Sequence, residues 1–161
     1  MKIEAVTVCI DYSDHLVECI TNRQYIDRWM IVTHPRDRKT IEICKKHGIE
    51  YTESERIYDN GSFFAKGKAI NDGLECLDKD GWLLHIDADQ RLPSNFTTPL
   101  TETNLNPECI YGARRQYNQT IRTEINPATE EEHQRPLVGF FQLWHSQKFR
   151  TYPEESNHAG D

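Results

Sequence analysis

The chain has 161 residues, 37% of them hydrophobic and 28% charged, which is enough for one compact domain with its own core. Its net charge of −7 argues against binding to nucleic acid, which needs a basic face. Five scattered cysteines without a CxxC pair argue against a disulfide framework or a zinc site. Without a signal pattern or an apolar run of ~20 residues, a cytoplasmic protein with no membrane span is expected.

Strand-like and helical segments alternate over residues 1–86. Strands are predicted at 3–10, 29–32, 49–51 and 82–86, and the fourth is almost entirely apolar, as a central strand should be. Helices are predicted at 16–25 with Ser13 as the N-cap, at 36–47 with Gly48 as the C-cap, and at 63–77. Strands alternating with helices predict an α/β fold with a parallel, doubly wound sheet.

The pattern changes after Pro93. Residues 110–117 and 137–144 are strand-like. The segment between them, 118–136, is polar and contains three consecutive glutamates, 130–132, so it is predicted to be a long surface loop or a hairpin.

The fourth predicted strand leads into two carboxylates, Asp87 and Asp89, separated by one small residue. Alternation along an extended backbone would send both to the same side, at the sheet edge where α/β proteins bind ligands. Close carboxylates repel each other unless a cation lies beside them, and Mg²⁺ and Mn²⁺ prefer such oxygen ligands together with substrate phosphates. The pattern therefore predicts a Mn²⁺ or Mg²⁺ site that holds a diphosphate. A solvated acidic turn is the alternative.

These segments, in their order and spacing, resemble the glycosyltransferases of the GT-A fold, most closely the large family-two group. The resemblance covers most of the chain. It is carried by Asp11-Tyr12, Ile31-Val32-Thr33, residues 65–73, Asp87-Ala88-Asp89, residues 93–96, residues 139–144, residues 152–154 and residues 158–161. His34 and Pro35 follow the second strand, where that family often carries acidic residues.

The resemblance implies a single domain with a Rossmann-like, mostly parallel sheet. Residues 1–92 would form its nucleotide-binding half, and residues 93–161 an acceptor-side half cut short at the C-terminus. The implied activity is metal-dependent transfer of a hexose-type sugar from a nucleotide diphosphate donor, a UDP-sugar, to a saccharide or other hydroxyl acceptor, with inversion. The implied metal ligands are Asp87, Asp89 and His158, the implied general base is Asp161, and the implied nucleotide-sugar contacts are Asp11, Thr33, Lys66, Lys68, Asn71, Asp87 and Arg91.

Several of these residues also have simpler interpretations. Lys66 and Lys68 lie at a predicted helix start, where anions are favoured, but could be ordinary exposed lysines. Asp11 could accept a hydrogen bond from a nucleobase or belong to a turn, and Arg91 could balance phosphate charge or lie on the surface. Trp144 could stack on an acceptor sugar or belong to the core.

Two other functions remain open on the sequence. A nucleotidyltransferase also places carboxylates and a metal on an α/β sheet, but it usually begins with a glycine-rich phosphate loop, and residues 10–14 contain no glycine. A non-catalytic module could bind the nucleotide-sugar without turning it over.

Overall fold

The computed structural model describes residues 1–115, 123–125, 139–148 and 151–154. The helices in that part of the chain are α1 (Ser13–Cys19), α2 (Arg38–His47), α3 (Lys66–Glu75) and α4 (Thr97–Glu102). Short 3₁₀ helices cover Ile20–Tyr25, Arg56–Gly61 and Ser146–Lys148. The strands are β1 (Ile3–Val8), β2 (Arg28–Thr33), β3 (Glu50–Glu53), β4 (Trp82–Ile86), β5 (Ile110–Arg115), β6 (Thr123–Ile125) and β7 (Phe141–His145).

The described strands form one sheet in the order β3-β2-β1-β4-β7-β5-β6. The first four pair in parallel, β7 is antiparallel to both β4 and β5, and β6 is antiparallel to β5. Five of these seven strands therefore run in the same direction. The predicted α/β fold with a mostly parallel sheet is confirmed.

The chain reverses its direction of travel across the sheet between β1 and β4. From β1 it proceeds to β2 and β3 on one side, then crosses to β4 on the other side of β1. Such a switch point leaves a crevice outside the carboxyl ends of the two strands, because their connections leave toward opposite sides.

Helix α3 packs directly on the centre of the sheet. An added Cβ at Gly73 would lie 2.4 Å from Cγ2 of Val6 and 2.5 Å from Cγ2 of Val32, so the helix approaches β1 and β2 more closely than a side chain would allow. Ile70 and Leu74 are buried on the same face. Full burial of each such side chain contributes about 1.5–3 kcal/mol, which fixes α3 against the strands.

The element predictions hold best around the parallel strands. β4 covers 82–86 as expected, and α2 ends at Gly48 in the left-handed conformation, with φ +62°. Strand β1 ends at Val8, two residues early, and α1 begins at Ser13, with no side-chain cap from Tyr12 before it. The short helix α4 was not predicted.

The remaining predictions concern cysteines and membranes. The five cysteines are free thiols. None of the described helices combines the length and apolar character needed to cross a bilayer.

Candidate active site at the switch point

The carboxyl ends of β1 and β4 are tied together by side chains. Thr7 Oγ1 donates a hydrogen bond of 2.8 Å to the carbonyl oxygen of Ile86, and Trp29 Nε1 donates to the same hydroxyl at 2.9 Å. All three groups are buried. The two strands that flank the crevice are therefore held at a fixed separation just before it opens.

Asp87 lies at the mouth of this crevice. Its backbone N–H donates to the carbonyl oxygen of Phe140 at 2.9 Å, and Lys66 Nζ lies 2.6 Å from its Oδ1. The side chains of Lys66 and Asp87 are only 11% and 25% exposed, so water screens this pair less than a surface pair. Burial acts to raise the pKa of Asp87, but the His85 ring and the Lys66 ammonium outweigh it, and the net pKa lies below the usual value. The structure thus brings together two of the residues predicted separately.

His85 lies beneath this pair. Its side chain is buried within β4, and Nε2 lies 3.4 Å from Asp87 Oδ1. Neither ring nitrogen has a hydrogen-bond partner among the described residues. Burial is the main cause that lowers the pKa of His85, so the ring is neutral near pH 7. A neutral imidazole oriented toward Asp87 is a polar group that a solvent molecule or ligand in the crevice can satisfy.

The second carboxylate is reached through a turn. The N–H of Gln90 donates to the carbonyl oxygen of Asp87 at 3.1 Å, and Gln90 Nε2 donates to Asp89 Oδ1 at 2.7 Å. Asp89 therefore lies in a turn, because the strand has already ended at Ile86, and alternation along an extended backbone does not decide where its carboxylate lies.

A buried asparagine holds this turn in place. Asn22 Nδ2 donates to the carbonyl oxygen of Gln90, and Asn22 Oδ1 accepts from the N–H of Leu92, both at 2.8 Å. Asn22 is 1% exposed and lies in the 3₁₀ helix after α1. The backbone that follows Asp89 is thus held by a residue that lies about 70 positions earlier in the sequence.

Asp37 has a similar role on the other side of the crevice. Its carboxylate accepts hydrogen bonds from the backbone N–H of Asp11 at 2.8 Å, from Thr40 Oγ1 at 2.6 Å and from Thr33 Oγ1 at 3.3 Å. It also caps α2 through the N–H of Thr40. Asp11 is exposed and has a positive φ of 53°, a conformation that Asp tolerates better than most residues. Thr33, by contrast, is fully buried and its hydroxyl is taken by Asp37.

The other predicted contacts on α3 are engaged with protein groups. Lys68 Nζ lies 3.1 Å from Asp59 Oδ2. Asn71 Oδ1 accepts from the N–H of Tyr152, and its Nδ2 donates to the carbonyl oxygen of Tyr152 and to Glu154. Asn71 therefore binds another segment of the chain.

Trp144 does not line an open surface. It is 4% exposed and packs in the core cluster that includes Val8, Leu83 and Leu74. Its prediction as an acceptor contact is corrected, because a ring covered in this way has no free face for a sugar. Arg91 is exposed. His158 and Asp161 lie outside the described residues.

The described carboxylates fit a hard divalent cation only in part. No three His, Cys, Asp or Glu side chains converge as a possible metal cluster within 1–115, 123–125, 139–148 and 151–154. Two carboxylates completed by donor phosphates are nevertheless a usual ligand set for Mg²⁺ or Mn²⁺. The ammonium of Lys66 beside Asp87 Oδ1 demonstrates that this position favours positive charge.

The fold is similar to that of mannosyl-3-phosphoglycerate synthase from Rubrobacter xylanophilus, with a TM-score of 0.57 and 16% identity over 91% of this chain. This chain spans 54% of that protein, about half its length. The fold is also similar to 4-diphosphocytidyl-2C-methyl-D-erythritol synthase from Anaerococcus prevotii, with a TM-score of 0.53, 11% identity, and coverage of 91% of this chain and 72% of that one. A second synthase of that name has a TM-score of 0.52, 14% identity and coverage of 90% and 75%.

No protein-family model and no curated protein sequence matches the chain. At these identities the likeness concerns the fold alone. The GT-A type of fold expected from the sequence is confirmed.

Sequence reasoning missed the residues that hold the site together. Asn22, Asp37, Arg56 and His85 were not singled out, although His85 was conspicuous as the one polar residue in an otherwise apolar β4. Asn22 lies within a short 3₁₀ helix, Asp37 and Arg56 lie at helix starts, and only their tertiary contacts reveal what they do.

Proposed function

We propose that this protein transfers a sugar from a nucleotide diphosphate donor, a UDP-sugar, to a hydroxyl acceptor. The observation that carries the proposal is the pair formed by Lys66 at the start of α3 and Asp87 beyond β4, whose charged atoms lie 2.6 Å apart at the topological switch point. A cation and a carboxylate, both largely removed from water, suit a diphosphate held through a divalent ion. The fold likeness to a mannosyl-3-phosphoglycerate synthase supports sugar transfer.

Residues on both sides of the crevice would bind the donor. Lys66 would contact the diphosphate, where the positive end of the α3 dipole adds to its charge. Asp11 would accept a hydrogen bond from the base. Asp87 and Asp89 would hold Mn²⁺ or Mg²⁺, which would neutralise charge on the leaving diphosphate.

The acceptor would react from the opposite face of the sugar. Its hydroxyl loses a proton to a general base, for which we propose Asp161, and the oxygen bonds to the anomeric carbon. The bond from that carbon to the diphosphate oxygen breaks, and its electron pair leaves with the nucleoside diphosphate. Attack opposite the leaving group inverts the anomeric centre. His158 is proposed as a third metal ligand.

Nucleotidyl transfer is a second candidate. Two structures of a 4-diphosphocytidyl-2C-methyl-D-erythritol synthase match the fold nearly as well as the sugar transferase does. Lys66 and Asp87 could also serve a nucleoside triphosphate. Tighter binding of CTP than of UDP, with release of pyrophosphate, would favour this candidate.

Titration calorimetry with UDP, with and without Mn²⁺, tests the proposal. The wild type is expected to bind UDP with Mn²⁺ and more weakly without it, and Asp87→Asn/Asp89→Asn is expected to lose the metal-dependent part. Asp78 and Asp80 have the same spacing and lie before β4, at the opposite edge of the sheet, so Asp78→Asn/Asp80→Asn is a control with the same charge change. Metal-dependent binding that the two double variants lose equally would contradict the proposed site.

A further inference from the structure

A short segment of the chain lies across the first turn of α3. This segment, residues 151–154, is called the strap. A Cβ added at Gly67 would lie 2.4 Å from the carbonyl oxygen of Pro153 and 3.4 Å from Cβ of Tyr152. The strap backbone therefore rests directly on the helix, in contact that a residue with a side chain would prevent.

The side chain of Asn71, one turn further along α3, holds the strap by hydrogen bonds to the strap backbone. Its Oδ1 accepts from the N–H of Tyr152 at 2.7 Å, and its Nδ2 donates to the carbonyl oxygen of Tyr152 at 3.0 Å. The same Nδ2 lies 3.1 Å from Glu154 Oε1. Asn71 is 4% exposed, so these bonds form in a site from which water is largely excluded. One amide thus satisfies both backbone groups of Tyr152.

Arg56 fastens the end of the strap. Its Nη2 lies 2.6 Å from Glu154 Oε2 and its Nη1 lies 2.6 Å from Asp72 Oδ1, so the guanidinium connects the strap to α3. Both carboxylate oxygens of Glu154 are then engaged, one by Arg56 and the other by Asn71. The hydrogen bond from Arg56 and then that from Asn71 lower the pKa of Glu154, which keeps it ionised at neutral pH.

Tyr152 is the strap residue whose side chain contacts the crevice. Its ring packs edge-on against His85, with centroids 5.5 Å apart, and lies 6.2 Å from the ring of Trp144. Its hydroxyl donates to Gln142 Oε1. Burial, together with the charge of Asp87, raises the pKa of Tyr152 well above its usual value, so the phenol remains neutral. Tyr152 therefore covers the side of His85, the residue directly beneath Asp87.

We propose that the strap forms a wall of the donor site, and that Asn71 and Arg56 are positioning residues that hold it there. This inference rests on the proposed function. A strap released from α3 would uncover His85 and admit water beside Lys66 and Asp87. Water would weaken the electrostatic interactions on which diphosphate binding depends. Neither Asn71 nor Arg56 needs to touch the donor for this effect.

The test uses the whole chain with UDP and Mn²⁺ as the probe. Arg56→Gln and Glu154→Gln cut the connection at side chains that are 39% and 44% exposed, outside the hydrophobic core. Asn71→Asp keeps the acceptor for the Tyr152 N–H and loses both donated bonds. The matched control is Arg28→Gln, because Arg28 also joins two carboxylates, those of Glu50 and Asp78, but does so at the opposite edge of the sheet.

Two quantities are measured on each variant: the hydrogen-exchange rate of the strap amides, above all that of Tyr152, and the Kd for UDP by calorimetry. We expect exchange to accelerate by about tenfold in the three strap variants. The Kd should rise by about fivefold, and Arg56→Lys should fall between Arg56→Gln and the wild type because a lysine reaches only one carboxylate. Arg28→Gln should change neither quantity.

The outcomes separate this inference from the proposed function. Faster exchange with an unchanged Kd would overturn the strap as a wall of the site while leaving the UDP site intact. Unchanged exchange in all three strap variants would overturn Asn71 and Arg56 as the residues that hold it. If the wild type itself bound no nucleoside diphosphate, the proposed function would fail and the inference with it.

Discussion

Two aspartate pairs with the same spacing lie at the two ends of β4. Asp78 and Asp80 precede the strand, are 60% and 84% exposed, and lie 3.6 Å from the ammonium of Lys2. Asp87 and Asp89 follow it, and Asp87 is largely buried beside Lys66 and His85. The motif is the same at both ends, so the difference lies in its position relative to the sheet.

That difference explains why one pair is a candidate site and the other is not. At the amino end of β4, one carboxylate oxygen of buried Glu4 accepts from the N–H groups of Lys79 and Asp80, and the other has no hydrogen-bond partner in the described part of the chain but lies 3.5 Å from the Lys2 ammonium. At the carboxyl end, His85 keeps two ring nitrogens without a hydrogen-bond partner among the described residues. Charges that are exposed to water interact weakly, whereas partly buried ones act strongly on a ligand.

The largest expected effect is a difference in turnover between variants of the two aspartate pairs. Asp87→Asn should lower turnover of UDP-sugars by about 10²–10³-fold, since it removes a charge beside the developing diphosphate. Asp80→Asn at the other end should stay within about twofold of the wild type. Release of UDP from a panel of UDP-sugars measures both. Equal losses in the two variants would mean that position in the sheet does not decide function.

Two glycines permit the next comparison, which concerns stability. Gly81 has a φ of +112°, and its added Cβ would lie 2.7 Å from the carbonyl oxygen of Lys2, so Gly81→Ala should lower the free energy of unfolding by about 2–3 kcal/mol without changing UDP affinity. Gly67→Ala should also lower the free energy of unfolding, because its Cβ would lie 2.4 Å from the carbonyl oxygen of Pro153, and unlike Gly81→Ala it should weaken UDP binding by displacing the strap. Chemical denaturation and calorimetry on both variants test the contrast, which would be lost if Gly81→Ala were the one that weakened binding.

Asp37 supplies a prediction with a pH dependence. Asp37→Asn should lower the free energy of unfolding by about 1–3 kcal/mol at pH 7, because one amide oxygen cannot serve the N–H groups of both Asp11 and Thr40. Burial alone would raise the pKa of Asp37, but hydrogen bonds from Thr40 and Asp11 lower it below 3.8. Its stabilisation is therefore present above that pH and is lost as the pH falls through the folded-state pKa. Denaturation at several pH values should show the gap between wild type and variant closing below about pH 4; a constant gap would contradict this role.

The smallest effect is expected at the amino ends of the parallel strands. Arg28→Gln removes exposed ion pairs with Glu50 and Asp78, so the free energy of unfolding should fall by about 0.5 kcal/mol or less, and by even less at high salt. The prediction would be wrong if Arg28→Gln lowered the free energy of unfolding by more than Asp37→Asn does. Charged side chains would then stabilise the amino ends of the strands more than the carboxyl ends.

The sequence predicted the parallel part of the fold well because each element there is marked locally. The apolar run of β4 and the glycine that ends α2 need no distant partner to be recognised. The end of β1 was misplaced by two residues, and the chain just beyond it is held by a hydrogen bond from the Asp11 N–H to Asp37, 26 residues further along, which no local pattern indicates. Helix α3 was predicted to begin at Phe63, which instead is 96% exposed, whereas the Ala65 N–H bonds to the carbonyl oxygen of Ile57 and the helix starts at Lys66.

The site was predicted residue by residue, but its arrangement was not. Asp87 and Lys66 were each named from local pattern, yet no spacing indicates that they meet across 21 residues. Asn71 was assigned to the donor and instead holds Tyr152, because the strap that reaches it comes from 81 residues further along the chain. Periodicity identifies elements, whereas contacts of this kind depend on how the elements are stacked.

The close packing of Gly73 has a consequence for how such a site can change. Lys66 lies seven residues before Gly73, about 10 Å along α3. The position of Lys66 therefore depends on how Gly73 packs in the core. A methyl group added at Gly73 would push the helix away from Val6 and Val32, and the ammonium of Lys66 at the start of the helix would move with it. The position of the Lys66 ammonium beside Asp87 is therefore set partly by residues of the core that lie well away from the crevice.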